Sequence, residues 1–400
     1  MTPWIVCQLG AREHYAIPRA LHRAGQLHKL VTDAWVAPNS AVSRVPGLRS
    51  LGDRHHPELT AAPIKAFTPS LIQFEAIHRL QKTGPWERMI ARNNWFQKQT
   101  ISYLRSVSIP QNSSATLFSY SYAALELFQY AKQRGWHTVL GQIDPGILEE
   151  KIVIEEHKKN PRLAPDWRPV PSDYWQRWQQ ECDLANEIIV NSGWSKQLLE
   201  KADIDPDKIK VVPLVYTPPA AAQRFQRHYP EAFSQDRPLR VLFLGLVGLR
   251  KGIAALLEAV QQLENKPIEF WMVGPQDIRI PPHLLHHPKI RWIGPVPRSQ
   301  VQNYYREADV FLFPTLSDGF GLTQLEAQAW KLPLITSNYC GDVAQDGING
   351  LKLSEVNADQ IAKALTTCLQ KNEALQSFSK HSYSSNIFDV TRLEKELLSI

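Results

Sequence analysis

The chain has 400 residues, more than one hydrophobic core usually covers, so two domains of about 200 residues each are expected. Its hydrophobic content of 43% suffices for two globular cores, and its four cysteines (Cys7, Cys182, Cys340 and Cys368) show no paired spacing, which argues against a disulfide framework or a zinc site. The formal net charge of +6 suits an anionic nucleotide, an anionic membrane surface or nucleic acid, without choosing among them.

The sequence offers no signal for export or for nucleic-acid binding. No apolar run is long enough to span a membrane, and the first residues lack a basic start followed by an apolar stretch of signal-peptide length. Neither a nucleic-acid-binding motif nor a basic tail is present. A cytoplasmic protein with no nucleic-acid partner is therefore expected, and Asn112-Ser113-Ser114 is interpreted as a polar loop, not a glycosylation site.

The start of the chain predicts a βαβ unit. Its parts are a strand over Trp4–Leu9, a turn over Gly10–Arg12, a helix over Glu13–Ala24 and a second strand over Leu30–Thr32. Because the turn contains one glycine, Gly10 is a weak indication of phosphate binding.

Residues Phe74–Arg105 combine basic and aromatic side chains. Such a surface can contact anionic lipids, which would allow peripheral association with the inner face of a membrane. The alternative, which is favoured, is that the aromatic side chains belong to the core and the cations form a solvated face.

Three further strands are predicted in the first half, over Thr138–Leu140, Glu187–Ser192 and Lys208–Pro213. A proline- and alanine-rich stretch from Pro213 to Ala222 then predicts a linker. The two Asp-x-Asp patterns formed by Asp203, Asp205 and Asp207 suggest a divalent metal, but they include a proline and precede a strand, so a turn is predicted there.

The second half alternates strands with helical periodicity. The predicted strands are Leu239–Leu244, Ile268–Val273, Ile290–Ile293, Val310–Phe313 and Leu334–Thr336. This alternation predicts an α/β protein with two doubly wound, Rossmann-like domains that face each other across a cleft. A ligand would then bind at the carboxyl ends of the strands.

The segment after Val310–Phe313 carries the most informative pattern. Two carboxylates, Asp318 and Glu326, flank the turn Gly319-Phe320-Gly321, and a helix is predicted from Leu322 to Trp330. Glycines let backbone amides approach an anion, and the start of the helix adds unpaired N–H groups and the positive end of its dipole. The pattern therefore favours a phosphorylated sugar. Taken singly, Asp318 also fits a turn residue and Glu326 a helix-dipole or salt-bridge residue.

A second glycine-bearing turn follows Leu239–Leu244. It contains Gly245, then Arg250 and Lys251 next to each other, and it precedes a helix. Two adjacent cations can bind a phosphate, although Arg-Lys pairs are also common on solvated surfaces.

Residues 310–353 resemble the signature of the family 4 retaining glycosyltransferases of GT-B architecture. The resemblance implies that Asp318 contacts the transferred sugar and that Glu326 binds the nucleotide ribose. It assigns the leaving diphosphate to Lys251 and to an arginine. The family has that arginine where this chain has Leu246, so Arg250 is expected to supply the second cation.

The same resemblance assigns further residues to the site. Pro295 and Val296 are expected to meet the nucleobase through their backbone, and Gly10 and Gly245 to line the donor cleft. Many relatives have a histidine after the strand at Thr138–Leu140, and Asp144 or Gln142 is expected to take its place near the acceptor or the sugar, with a turn-forming role as the alternative for Asp144.

The resemblance further implies the domain plan: residues 1–215 on the acceptor side, 216–380 for the donor, and a C-terminal helix within 381–400 that crosses back to the first domain. The predicted function is transfer of a sugar from a nucleotide-diphosphate sugar to a glycan, lipid or small-molecule acceptor. No cofactor and no metal are expected. The alternatives are a non-catalytic nucleotide-sugar-binding subunit and a GT-B nucleotide-sugar epimerase. A nicotinamide oxidoreductase is disfavoured, because no Gly-x-Gly-x-x-Gly follows the first strand.

Overall fold

A computed structural model of the chain describes residues 2–37, 40, 49–106, 115–382 and 388–400, so the loop predicted at Asn112 lies outside the described residues. The strands of the first sheet are β1 (Trp4–Gln8), β2 (Leu27–Thr32), β3 (Ile64–Ala66), β4 (Thr116–Tyr120), β5 (His137–Gln142), β6 (Glu187–Val190) and β7 (Ile209–Val211). They pair in parallel in the order β3-β2-β1-β4-β5-β6-β7.

The second sheet repeats this arrangement. Its strands are β8 (Leu239–Leu244), β9 (Ile268–Val273), β10 (Ile290–Gly294), β11 (Val310–Phe313), β12 (Leu334–Ser337) and β13 (Gly350–Leu353). They lie in the order β10-β9-β8-β11-β12-β13, again all parallel. In both sheets the order reverses beside the first strand, and such a reversal opens a ligand-binding crevice at the carboxyl ends of the strands.

Helices connect the strands of both sheets. In the first half they are α1 (Ala16–Arg23), α2 (Thr68–Leu80), α3 (Pro85–Leu104), α4 (Leu125–Lys132), α5 (Ile147–Lys159), α6 (Ser172–Leu184) and α7 (Gly193–Lys201). In the second they are α8 (Ala220–Gln223), α9 (Ile253–Gln262), α10 (Pro282–Leu285), α11 (Arg298–Glu307), α12 (Leu322–Ala329), α13 (Ala358–Gln370), α14 (Asn372–Lys380) and α15 (Val390–Leu398).

The first helix begins later than predicted. Glu13, His14 and Tyr15 have φ angles of 51°, 54° and 60°, in the left-handed region, so α1 starts at Ala16 and not at Glu13. Non-glycine residues occupy this region rarely and at a cost, which marks the segment as special. The strained segment lies at the carboxyl end of β1, where it faces the cleft.

Strands β3 and β4 were not predicted from the sequence. β4 is buried throughout, but it carries Thr116 and Ser119 among its apolar residues, so the apolar run that marks a buried strand is interrupted. β3 has three half-buried residues, too few for a periodic pattern.

Helix α15 packs on the first domain although it follows the second in the chain. Its buried side chains Val390, Leu393 and Leu397 share a hydrophobic cluster with Ile17 and Leu21 of α1. The chain therefore crosses between the domains a second time after α14. Among the described residues, no helix is long and apolar enough to span a membrane.

The aromatic side chains of α2 and α3 pack largely inward. Phe96 is fully buried, and Trp95 packs edge-on against Phe67 at 6.3 Å between ring centroids. At the tip of the hairpin between these helices, Leu80 is 84% exposed and Ile77 43%. The larger aromatic rings of this segment therefore belong to the core, as the alternative interpretation of the sequence proposed. Two apolar side chains stay exposed at the tip.

Candidate donor site at the domain junction

Two loops of the second domain are joined at the carboxyl ends of β8 and β11. The Leu316 amide donates to the Arg250 carbonyl at 2.9 Å, and the Thr315 hydroxyl donates to the same carbonyl at 3.3 Å. At Gly252, where φ is 74°, an added Cβ would lie 1.9 Å from the Pro314 carbonyl oxygen. The close approach requires glycine and holds Arg250 and Lys251 beside the Asp318 loop.

Lys251, Arg250 and Asp318 form a half-buried ion-pair cluster. The Lys251 ammonium donates to the Asp318 carboxylate, and an Arg250 guanidinium nitrogen lies 3.9 Å from it. Burial opposes the charge of Asp318, but Lys251 and Arg250 outweigh burial, so the pKa of this carboxyl lies below its ordinary value. The structure thus brings together the three residues predicted for the diphosphate and the sugar.

The Asp318-Gly319 turn touches the first domain directly. An added Cβ at Gly319 would lie 2.1 Å from the carbonyl oxygen of Ile143 and 3.3 Å from the Cα of Asp144. The Ser195 hydroxyl, at the start of α7, donates to the Gly319 carbonyl at 3.3 Å. The loop at residues 314–321, named the donor loop for its proposed role, is therefore packed against the first domain in this conformation.

Glu149 joins the cluster from the first domain. It lies in the first turn of α5, with one carboxylate oxygen 3.5 Å from Arg250. The Ser317 hydroxyl donates to its other oxygen at 2.7 Å and accepts from the Trp194 indole at 3.0 Å. Burial raises the pKa of Glu149 to about 7, against the opposing effect of Arg250.

Sequence reasoning missed both Glu149 and Ser317. The available signal for Glu149 was an acidic residue in the first turn of a helix after Pro145-Gly146, a pattern that ordinarily indicates an interaction with the helix dipole. Nothing in that pattern shows that the carboxylate crosses to another domain.

Asp144 lies at the same junction and is held firmly. Its carboxylate receives three hydrogen bonds from the described residues, all on Oδ1: the Tyr122 hydroxyl at 2.5 Å, the Gly146 amide at 2.9 Å and the Gln142 side chain at 3.1 Å. The bond from Gly146 is the turn-forming contact that the sequence also suggested. The bonds from Tyr122 and Gln142 hold the same oxygen from outside that turn.

Glu326 lies on α12, half-buried, where the Tyr305 hydroxyl donates to its carboxylate at 2.7 Å. Burial raises the pKa of Glu326, and the Tyr305 hydroxyl and Arg298 partly offset this effect. Tyr305 is a further residue that sequence reasoning missed, because its position on α11 becomes adjacent to α12 only in the folded domain.

The loop Pro295-Val296 follows β10 and leads into α11, whose first residue is Arg298. The guanidinium nitrogens of Arg298 lie 2.6 and 3.0 Å from the two ring nitrogens of His14, in the strained segment of the first domain. Burial and the Arg298 charge lower the pKa of His14 to about 4, so the ring is neutral at neutral pH. The two domains therefore also touch at this end of the cleft.

The remaining predicted donor residues lie at strand ends. Gly245 directly follows β8, and its amide donates to the Val273 carbonyl at 2.9 Å. Leu246, the next residue, is 39% exposed. The Gly10 amide donates to the buried Asp33 carboxylate at 2.9 Å, which Arg92 also contacts. The Gly10 amide is thus already paired within its own domain.

A cavity of about 230 Å³ opens beside Asp144 in the first domain. Its lining includes the rings of Trp86, Tyr120, Tyr122 and Tyr174, together with Arg12. The Tyr122 and Tyr174 rings are stacked at 4.7 Å, and Glu181 fixes the loop that carries Tyr122 by accepting its amide at 2.6 Å.

The Asp203–Asp207 segment is a turn, as predicted. Asp203 has a left-handed φ of 62°, and the Asp205 carboxylate accepts the amide of Asp207 at 3.0 Å. Among the residues that the structure describes, no group of three or more His, Cys, Asp or Glu side chains is arranged to hold a metal ion.

The part of the second domain that carries these residues matches the model of a known family. Residues 238–371 match the family model described as glycosyl transferases group 1. The chain therefore contains a glycosyl transferases group 1 domain. The matched residues include Arg250, Lys251, Asp318 and Glu326, and the match confirms that residues 310–353 belong to a glycosyltransferase domain.

Relatives and solved structures extend the comparison beyond this domain. The chain is 30% identical over 219 residues to a D-inositol 3-phosphate glycosyltransferase of Corynebacterium glutamicum, and this match covers 49% of this chain and 51% of the relative. It is 36% identical over 90 residues to a sucrose synthase of Melioribacter roseus, and this match covers 21% of this chain and 11% of the relative. The chain thus spans about half the length of the D-inositol 3-phosphate glycosyltransferases that it matches, and less of the sucrose synthase.

The fold matches over the whole chain. A sucrose-phosphate synthase of Thermosynechococcus elongatus superposes with a TM-score of 0.66 at 18% identity, and covers 100% of both chains. Anabaena HepE in complex with UDP superposes with a TM-score of 0.62 at 13% identity, and covers 100% of this chain and 99% of that one. These neighbours and the two parallel sheets confirm the predicted GT-B architecture.

Proposed function

We propose that the chain is a retaining glycosyltransferase that moves a sugar from a nucleotide-diphosphate sugar to an acceptor. The observation that carries the proposal is the cluster of Arg250, Lys251 and the glycine turn at 319–321, which lies at the junction of the two domains. Two cations and a helix amino terminus offset the charge of a diphosphate without a metal ion. The Corynebacterium glutamicum relative is a D-inositol 3-phosphate glycosyltransferase, and the structure of Anabaena HepE is a complex with UDP.

Each residue has a role in this proposal. Lys251 and Arg250 stabilise charge that grows on the departing diphosphate, and Asp318 accepts hydrogen bonds from the transferred sugar. Glu326 binds a ribose hydroxyl, with Tyr305 orienting its carboxylate. Retention requires the acceptor to attack from the face that the diphosphate leaves, and the departing phosphate oxygen takes the acceptor proton.

The acceptor is assigned to the aromatic cavity beside Asp144. Stacked rings with one carboxylate suit a sugar ring, whose C–H faces pack on aromatic side chains while a hydroxyl donates to Oδ2 of Asp144. A volume of about 230 Å³ is sufficient for one such ring. We therefore favour a saccharide acceptor over a lipid chain.

Transfer assays with radiolabelled UDP-, GDP- and ADP-sugars test the proposal. We expect one nucleotide class to support sugar transfer to saccharide acceptors. Release of nucleotide with a changed sugar and no acceptor would instead indicate an epimerase, and donor binding with neither hydrolysis nor transfer would indicate a non-catalytic subunit.

The ribose role of Glu326 predicts the effect of Glu326→Gln. We expect nucleotide affinity to fall by about 1–3 kcal/mol, because a charged hydrogen bond to a ribose hydroxyl is weakened while the helix keeps its packing. Calorimetry on the nucleotide that binds best measures the change. Unchanged affinity in a folded variant would refute the ribose role.

The charge arrangement also predicts that transfer persists in EDTA. The donor site already supplies two cations and a helix amino terminus, and the Asp203–Asp207 segment is a turn. Activity lost with chelator and restored by Mg²⁺ or Mn²⁺ would contradict this arrangement and would return Asp203, Asp205 and Asp207 to candidate ligands.

Peripheral membrane contact stays a prediction. The exposed Ile77 and Leu80 at the tip of the α2–α3 hairpin, next to Arg79 and Lys82, offer a surface for anionic lipid. Co-sedimentation with vesicles that contain anionic lipid, with Leu80→Ser as the comparison, tests it.

A further inference from the structure

Glu149 presents an electrostatic conflict at the proposed diphosphate site. Its carboxylate comes from the first domain, yet it lies 3.5 Å from Arg250 of the second and accepts a 2.7 Å hydrogen bond from Ser317. The side chain is 13% exposed. A nucleotide diphosphate that binds Arg250 and Lys251 therefore approaches a buried negative charge.

The surroundings of Glu149 show what can neutralise that charge. The turn at the end of β8 contributes Arg250 and Lys251, the donor loop contributes Asp318, and its own domain contributes Asp144. Helix α7, which packs on α5, presents the neutral Trp194 and Ser195 at this junction. The charged Lys196 and Glu200 of α7 lie 3.7 Å from each other and pair together. Two cations thus face three carboxylates before any phosphate is bound.

We propose that Glu149 is a proton-linked gate on the diphosphate subsite. Its carboxylate pairs with Arg250 when the site is empty, and it takes up a proton from solvent when a nucleotide diphosphate binds. The inference rests on the proposed function, because it assigns a regulating residue to the same donor site. Proton uptake removes the repulsion between Glu149 and the phosphates and weakens the pairing of Glu149 with Arg250, which still lies 3.9 Å from Asp318. The protonated group keeps an oxygen that accepts the hydrogen bond from Ser317. Glu149 is therefore a positioning residue that acts through Arg250.

The direction of the pH effect follows from the free and bound states. In the free protein the pKa of Glu149 is about 7, raised by burial. The added negative charge of the phosphates raises this pKa further in the complex. The complex then holds more protons than the free protein above pH 7, so affinity is highest at and below neutrality and falls as the pH rises toward the bound pKa.

Calorimetric titration with UDP, ADP and GDP tests the gate. For the nucleotide that binds most tightly, we expect Kd of the wild-type protein to rise by roughly 5- to 10-fold more than Kd of Glu149→Gln between pH about 6.5 and about 8.5. The nucleotide's own phosphate, whose pKa is about 6, changes Kd with pH in both proteins. Comparison with Glu149→Gln therefore separates the contribution of Glu149 from that of the phosphate. At the upper pH, Glu149→Gln should bind more tightly than wild type.

Glu150→Gln is the matched control, because Glu150 is the next residue of α5 and its carboxylate accepts the Val170 amide at 3.0 Å. We expect it to keep the wild-type pH profile. Titration of the wild type in buffers of different ionisation enthalpy gives an independent readout, namely proton uptake on binding, that does not depend on any variant folding. Parallel pH profiles for wild type and Glu149→Gln would overturn the gate alone. Failure of all three nucleotides to bind would overturn the donor assignment with it.

Discussion

Lys251→Met is expected to reduce the turnover of sugar transfer by about 100-fold or more. The Lys251 ammonium pairs with Asp318 and lies 4.9 Å from the centre of the Phe313 ring, so these two neighbours fix its position. Methionine keeps most of the volume of the stem and removes the charge. The loss should therefore report the charge stabilised on the departing diphosphate.

Steady-state kinetics with the nucleotide sugar of the preceding screen measures this effect. Lys196→Ala is the control, since Lys196 is a partly exposed lysine on α7 that pairs with Glu200 at 3.7 Å and should leave turnover within about 2-fold. A thermal melt should accompany the kinetics, because the variant leaves Asp318 with Arg250 at 3.9 Å as its remaining cation. Turnover within about 3-fold of wild type would remove Lys251 from the diphosphate site.

Gly319→Ala is expected to abolish most transfer while the second domain still binds nucleotide. The added Cβ would lie 2.1 Å from the Ile143 carbonyl oxygen and 3.0 Å from its carbon, and both are backbone atoms of the first domain. Backbone cannot move aside as a flexible side chain can, so the two domains must separate at this point. Since misplacement by about 1 Å can cost roughly 100-fold in rate, we expect a loss of at least that size.

Gly193→Ala provides the matched glycine control. Its added Cβ would meet the Asp342 carboxylate at 3.7 Å, an ordinary contact, and should leave turnover nearly unchanged. Calorimetry should show nucleotide affinity of Gly319→Ala within a few-fold of wild type, and small-angle scattering should show a more open particle. Wild-type turnover in Gly319→Ala would show that the contact between Gly319 and Ile143 is not part of the active arrangement.

The sequence alone determined the architecture of the second domain closely. The predicted strands Leu239–Leu244, Ile268–Val273 and Val310–Phe313 have the same bounds in the structure. These strands are buried on both faces, and a parallel strand of this kind shows itself as a local apolar run. The glycine turn with Asp318 and Glu326 could likewise be recognised, because its spacing lies within one strand–turn–helix unit.

The same reasoning failed where polar residues are buried or strained. β4 was missed because Thr116 and Ser119 interrupt its apolar run, and the helix predicted from Glu13 begins at Ala16 because three residues adopt left-handed backbone. Their side chains would suit a helix, so local propensity indicates nothing unusual. The strain is set by the surroundings, where His14 meets Arg298 of the other domain.

What only the tertiary structure decided is which charges share the cleft. Sequence patterns marked Arg250, Lys251 and Asp318 separately, but Glu149 and Arg250 are about 100 residues apart in the chain and come from different domains. Their approach depends on how the two domains pack, through contacts such as Gly319 against Ile143. Periodicity and turn chemistry act over a few neighbouring residues, whereas Coulomb interactions and burial depend on distances in space. The strand–turn–helix units were therefore determined locally, and the balance of charge at the proposed diphosphate site was determined by the fold.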